Sequence, residues 1–142
     1  NKDSSLIYMI EKLIKLSKSK ESGFFLYDYI NLSKKLIELD TKKDRKTILI
    51  GVPYALLDVI DFNQFQLNNT IIMETGGMKG RRKEMVRTEL HEKLKSGFGV
   101  NKIHSEYGMT ELLSQAYSKG DGIFKTPLWM KAFIRDINDA QN

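Results

Sequence analysis

Two continuous apolar runs and a third strand-like segment, separated by segments with helical spacing, constrain this chain more than any other feature. The run Lys46-Thr47-Ile48-Leu49-Ile50-Gly51-Val52 is β-branched and leucine-rich, closed by glycine and then Pro53. Thr70-Ile71-Ile72-Met73-Glu74 repeats the pattern, and residues 100–105 are read as a third strand. Continuous apolar runs suit parallel strands buried on both faces. Between the first two, Pro53 stands where the first turn of a helix tolerates proline, and Tyr54, Ala55, Leu56, Leu57, Val59 and Ile60 follow. Between the second and third, the spacing predicts a helix over residues 81–95, with Met85, Val86, Leu90 and Leu94 inside and Ser96-Gly97-Phe98-Gly99 as its stop. Strand, helix, strand, helix, strand implies right-handed crossovers and a parallel sheet with helices on its faces. The expected fold class is therefore α/β.

Ahead of this core, Ser4 or Ser5 is placed to cap a helix from Leu6 to Ser17, whose Leu6, Ile7, Met9, Ile10, Leu13, Ile14 and Leu16 form a broad apolar face. Phe24-Phe25-Leu26-Tyr27 reads as either a strand or a buried loop. Asp28 is placed to cap a second helix to Asp40, with Tyr29, Leu32, Leu36 and Leu39 as its inner stripe. After Glu111 the pattern changes to short strands and turns, and residues 128–135 are expected to form an edge strand. One α/β domain follows: a helical entry over 1–45, a βαβαβ core over 46–111 and a β-rich tail over 112–142. The first residue is Asn1 rather than Met, and the chain closes soon after its last expected strand, so an internal piece of a larger protein is expected.

Composition removes several functions. With no cysteine, the chain holds no disulfide, thiolate metal site or cysteine nucleophile of its own, which fits a reducing compartment; a cytoplasmic location is expected. No apolar run approaches the roughly 20 residues of a membrane span. The net charge of +5 invites an acidic partner, yet 23 basic and 18 acidic residues are interspersed along the helices. Solvated faces are expected rather than a nucleic-acid footprint, since no zinc-finger spacing or ribonucleoprotein aromatic motif accompanies them. His91 is expected on an exposed helix face, Trp129 in the core, and His104 is a candidate for touching a pocket.

Two loops invite a chemical reading. Glu74-Thr75-Gly76-Gly77-Met78-Lys79-Gly80 follows a strand and precedes a helix. Glycine there permits close backbone approach to a ligand, and a helix amino terminus favours anions. It is neither the GxxxxGK[ST] phosphate loop nor GxGxxG, and a plain connector is the competing reading. The second is Ser105-Glu106-Tyr107-Gly108-Met109-Thr110-Glu111, read as a strand running into a tight turn. Ligands of α/β proteins gather at the carboxyl ends of parallel strands. Tyr107 could stack on a flat base and Gly108 could let the backbone pass close to it. Thr110 could donate to a phosphate, and Glu111 could hold a divalent cation. The competing reading is a turn and a helix cap.

Tyr107-Gly108-Met109-Thr110-Glu111 matches the Tyr-Gly-x-Thr-Glu motif of the adenylate-forming superfamily, which includes acyl-CoA synthetases, and the chain resembles that superfamily. The wider pattern, from Met73 through Gly76-Gly77-Met78-Lys79-Gly80-Arg81 to His104 and on to Leu112-Leu113-Ser114-Gln115-Ala116-Tyr117, is similar to the acyl-protein synthetases of the bacterial luminescence type, close to phenylacetate-CoA ligases. The similarity spans residues 46–136. It implies a Rossmann-like subdomain of a ligase amino-terminal domain and ATP-dependent activation of a carboxylic or fatty acid. An acyl-adenylate forms first, and the acyl group then passes to a thiol, either a protein cysteine or CoA, with an acyl-transfer protein as a further partner. It implies that Tyr107 lies against adenine, Gly76 and Gly77 line the adenine side, Thr110 contacts phosphate and Glu111 binds Mg2+. Ser105, Glu106 and Gly108 are implied at the edge of the ATP or AMP pocket. The family's phosphate loop, its small carboxy-terminal domain with the adenylation lysine, and the cysteine acceptor have no counterpart here, so this stretch alone is expected to be inactive. A nucleotide-binding module without catalysis and a basic interaction domain are the alternatives.

Overall fold

Five strands form one sheet in the order β1-β2-β3-β4-β5, with four helices beside it, in a computed structural model that describes residues 4–109 and 112–134. The chain runs α1 (Ser5–Ser17), α2 (Tyr29–Asp40), β1 (Thr47–Gly51), α3 (Pro53–Phe62), β2 (Thr70–Thr75), α4 (Arg87–Phe98), β3 (Ile103–Gly108), β4 (Gln115–Ser118) and β5 (Phe124–Lys125). The βαβαβ core is as the apolar runs imply: β1 pairs with β2 and β2 with β3, both parallel. The sheet as a whole is mixed, because β4 and β5 extend it by antiparallel pairing.

The pleat divides the core. Leu49, Ile72 and Ile103 share one face, and α2, α3 and α4 bury it through Leu32, Leu36, Leu56, Leu57, Ile60, Leu94 and Phe98. Each such large apolar side chain contributes about 2 kcal/mol by leaving water. Ile48, Ile50 and Met73 point to the opposite face, where they line a small apolar cavity of about 170 Å³ with Met9 and Leu13 of α1. That cover is thin: α1 buries none of its residues.

Local chemistry explains most boundaries. The Asp28 carboxylate accepts from the Asn31 N–H and caps α2. At the other end of that helix the Asp40 carboxylate accepts from the Asn68 and Asn69 N–H groups and the Thr70 hydroxyl, which fixes the entry to β2. Burial opposes its ionisation, but these bonds outweigh it and hold the carboxyl below its ordinary range. Pro53 opens α3, and Gly99, at φ +65°, ends α4. Gly97 lies inside α4 against Ile60 of α3, and the chain leaving α3 is fastened there by the Phe65 N–H to the Gly97 carbonyl.

Several expectations are corrected. α4 begins at Arg87, not Arg81, because Lys79 and Gly80 both take positive φ and close a turn from Arg81 N–H to the Met78 carbonyl. The later start keeps Arg81, Arg82 and Lys83 away from the positive helix end and puts Glu89 in the first turn. Val86, expected inside, is exposed, whereas Met85 packs against the core. β3 starts at Ile103, not residue 100, and runs through Gly108. Residues 24–27 form an exposed turn with only Phe25 packed on the core. Residues 128–134 are not a strand; the outer edge is β5, and 127–130 form a turn closed by Met130 N–H to the Pro127 carbonyl. Arg135 lies outside the described residues. Trp129 is 80% exposed, its indole donating to Ser114. No helix among the described residues is long and apolar enough to cross a membrane.

Candidate functional site

The carboxyl ends of β2 and β3 bring the two sequence loops together. Glu74 is level with Ser105 and Thr75 with Glu106 across the parallel pair. Gly76, at φ +77°, and Gly77 follow immediately and are exposed. Gly76 needs its glycine, because side-chain-bearing residues rarely take that conformation. Tyr107 sits one residue beyond Glu106, so the Gly76-Gly77 loop and the Tyr107 ring leave neighbouring strands at the same end of the sheet.

Alternation along β3 then sorts the side chains. Ser105 and Tyr107 project on the helix-covered face, whereas His104, Glu106 and Gly108 project on the α1 face. On the helix-covered face, Tyr107 is 45% exposed and meets Phe124 of β5 edge to face, with ring centroids 6.1 Å apart. The Arg87 guanidinium, from the first residue of α4, lies over the other ring at 5.0 Å from the Phe124 centroid. Beneath them Glu74 is buried. Its carboxylate lies 3.5 Å from His91 Nε2 and 3.8 Å from Arg87 Nε. Arg87 and His91 are one helical turn apart and therefore reach the same point. A buried carboxylate without partners is costly, and these two cations or donors offset that cost.

Ser105, which the resemblance implies at a pocket edge, is fully buried, and among the described residues its hydroxyl has no hydrogen-bond partner. The pleat causes this: only Tyr107 is far enough along β3 to emerge past the helices. Glu106 is half-buried on the α1 face, where it accepts a short hydrogen bond from the Thr75 hydroxyl and is level with Tyr117 of β4. Burial and then the Glu106 charge hold the Tyr117 phenol above its ordinary range. Gly108 is the last residue of β3 rather than the tip of a turn. A β-carbon there would meet the Glu106 carboxylate and the Gln115 side chain. Thr110 and Glu111 lie outside the described residues. Among the described residues no group of three or more His, Asp or Glu side chains could hold a metal ion.

His104 and His91 exchange their expected roles. His104 is on the α1 face, away from Arg87 and Phe124. Burial, followed by the charges of Lys102 and Lys119, lowers its pKa and favours the neutral ring. His91, expected at the surface, is buried against Glu74. The sequence did hold a signal for it: an acid ending an otherwise apolar strand needs a buried partner, and Arg87 and His91 stand at i and i+4 on the following helix. Nothing local marks Phe124, which reaches Tyr107 only through antiparallel pairing in the tail.

Away from this end, an open cleft of about 330 Å³ lies between α3 and α4, with Arg82 in its wall. Arg82 is engaged by Asp58 and Asp61, so the charge there is satisfied within the fold. Comparison with protein-family models, curated proteins and solved structures finds no significant match to this chain.

Proposed function

We propose that this chain is the nucleotide-facing core of an ATP-dependent acid–thiol ligase of the adenylate-forming type, nearest the acyl-protein synthetases. The observation that supports the reading is the meeting of the two loops. Gly76-Gly77 and Tyr107 are 31 positions apart in sequence, yet they emerge side by side from adjacent parallel strands. An aromatic face that is half-open, beside a glycine backbone without a side chain to obstruct it, suits a flat base. The strand ends of an α/β sheet are the general location for such ligands.

On this reading Tyr107 receives the adenine and the Gly76-Gly77 backbone forms the opposite edge. Thr110 contacts a phosphate, and the substrate acid meets the nucleotide beyond it. Magnesium, when bound, would neutralise phosphate charge during attack of the carboxylate at the α-phosphate. Its assigned ligand Glu111 lies outside the described residues, and the described ones supply no cation cage, so the protein's own contribution here is to bind and orient the base. The thiol acceptor, a protein cysteine or CoA, comes from outside this chain, which has no cysteine.

The test is calorimetry of the purified chain with adenosine and AMP, with and without a fatty acid. Saturable binding that falls by roughly 5- to 150-fold in Tyr107→Ala, and is largely kept in Tyr107→Phe, is expected, because base–aromatic stacking is worth about 1–3 kcal/mol. Binding to nucleic acid that weakens steeply with salt and ignores Tyr107 would identify a basic interaction domain instead.

A further inference from the structure

We propose that Arg87 is the phosphate-recognising residue of the site, holding the anionic end of a nucleotide whose base rests on Tyr107. This rests on the nucleotide reading above and goes beyond it, because neither loop motif includes Arg87. Phe124 is the link: Tyr107 packs against it at 6.1 Å and the Arg87 guanidinium lies over it at 5.0 Å. A base platform and a cation are thereby fixed against one and the same ring.

The guanidinium is also placed to spare its donors. Glu74 approaches through Nε at 3.8 Å, beyond hydrogen-bond length. Among the described residues no hydrogen bond engages its two terminal nitrogens, and the side chain is 48% exposed. A planar fork held at its stem with its tips open is the geometry that takes phosphate oxygens in a bidentate way.

Two further features favour an anion at the same place. Arg87 is the first residue of the 12-residue α4, and Val86 provides no side-chain cap, so the first-turn N–H groups face the strand ends uncapped. Beneath, the Ser105 hydroxyl is fully buried and unpartnered, on the same face and level with Glu74. An unsatisfied buried donor at the foot of a cationic helix end calls for an acceptor or a bridging water. Glu74 does not cancel the site. His91 Nε2 lies 3.5 Å from the same carboxylate oxygen, so Glu74 is shared between the two residues and serves as the anchor that aims Arg87.

Paired titrations with AMP, adenosine and inorganic phosphate test this in the wild-type chain, Arg87→Ala, Arg87→Lys and Tyr107→Ala, with circular dichroism confirming that each is folded. In wild type, AMP is expected to bind about tenfold more tightly than adenosine, the worth of one charge-assisted contact at a half-exposed site. Arg87→Ala should bring AMP down to the adenosine level and leave adenosine unchanged. Arg87→Lys should keep part of the difference. Should Arg87→Ala not fold, Arg87→Lys decides, since loss of the fork must still lower AMP and not adenosine. An unchanged AMP-to-adenosine ratio in the Arg87 variants, with binding still dependent on Tyr107, overturns the assignment while leaving the base site standing. A variant that weakens a carboxylic acid but not AMP overturns it too. Failure of wild type to bind either nucleoside compound removes the nucleotide reading itself and the role of Arg87 with it.

Discussion

Replacing Gly97 by alanine should destabilise the protein, although alanine is the better helix former. Gly97 lies in α4, and a β-carbon built there would stand 2.6 Å from both Cβ and Cγ2 of Ile60 and 2.7 Å from its Cδ1. Carbon atoms pack at about 3.5–4.0 Å, so α3 and α4 would have to separate by roughly 1 Å. Ile60 cannot rotate away, because its Cβ is itself one of the contacts. The helices cannot part freely either: the Phe65 N–H donates to the Gly97 carbonyl at 2.8 Å and the Leu67 N–H to the Phe98 carbonyl at 3.1 Å. Overpacking of this kind costs about 1–3 kcal/mol, and the pinned loop favours the upper part of that range. The gain in helix propensity is at most about 1 kcal/mol. The net expectation is a loss of about 2 kcal/mol, or a fall in Tm of roughly 5–10 °C. Urea denaturation with an unchanged slope measures it. Gly23→Ala is the control, because nothing lies within 4 Å of a β-carbon there. That change should be neutral, or stabilising by up to about 1 kcal/mol. A Gly97→Ala protein as stable as wild type, or more stable, would refute the close α3–α4 approach.

Two other outcomes follow from the buried polar groups. Asp40→Ala should cost about 2 kcal/mol, since two backbone N–H groups and the Thr70 hydroxyl lose their acceptor. Because the folded carboxyl is held below its ordinary value of 3.8, its contribution is fully present above that pH and is lost as pH falls towards the lower folded value. The wild-type and Asp40→Ala stability curves should therefore converge only in strong acid, and a constant gap down to the lowest measurable pH would contradict the assignment. His91→Ala should destabilise by about 2–3 kcal/mol, partly through lost packing and partly by leaving the buried Glu74 with Arg87 alone. In a thermal-melt cycle with Glu74→Gln, the double variant should lose less than the sum of the singles. Strict additivity would mean that the two side chains do not interact.

β1 and β2 were legible because continuous apolar runs admit few other structures. The buried residues Ile72 and Ile103, and half-buried Leu49 beside Ile72, sit within the segments that predict strands. Asp28 and Pro53 announced helix starts by chemistry that acts within one turn. The misjudged elements are those decided by distant partners. Residues 81–86 have helical spacing, but the Lys79–Gly80 turn and the pull of Asp58 and Asp61 on Arg82 keep them out of α4. Residues 128–134 have the apolar pattern of a strand but no sheet edge beside them, since β5 occupies it. At the candidate site, Gly76, Gly77 and Tyr107 could be picked out locally. Ser105 could not be judged, because the pleat rather than the motif decides which face it takes. Arg87, His91 and Phe124 depend on where α4 begins and how the tail folds back.

The change from parallel to antiparallel pairing at β3 accounts for the site's position. Up to β3 every connection is a helix, so the face that carries Leu49, Ile72 and Ile103 is roofed by α2, α3 and α4. After β3 the sheet continues through β4 and then β5, both paired antiparallel. On that face Ser105 of β3 and Ala116 and Ser118 of β4 are buried, and Tyr107 emerges beyond the Arg87 end of α4. Tyr107 and Phe124 are the aromatic residues at this step, and Arg87, at the start of α4, is the roof's last residue above them. A third helix crossover after β3 would have covered both rings. The half-exposed aromatic pair, the uncapped helix end and the buried hydroxyl are thus consequences of one topological choice, which is why they coincide.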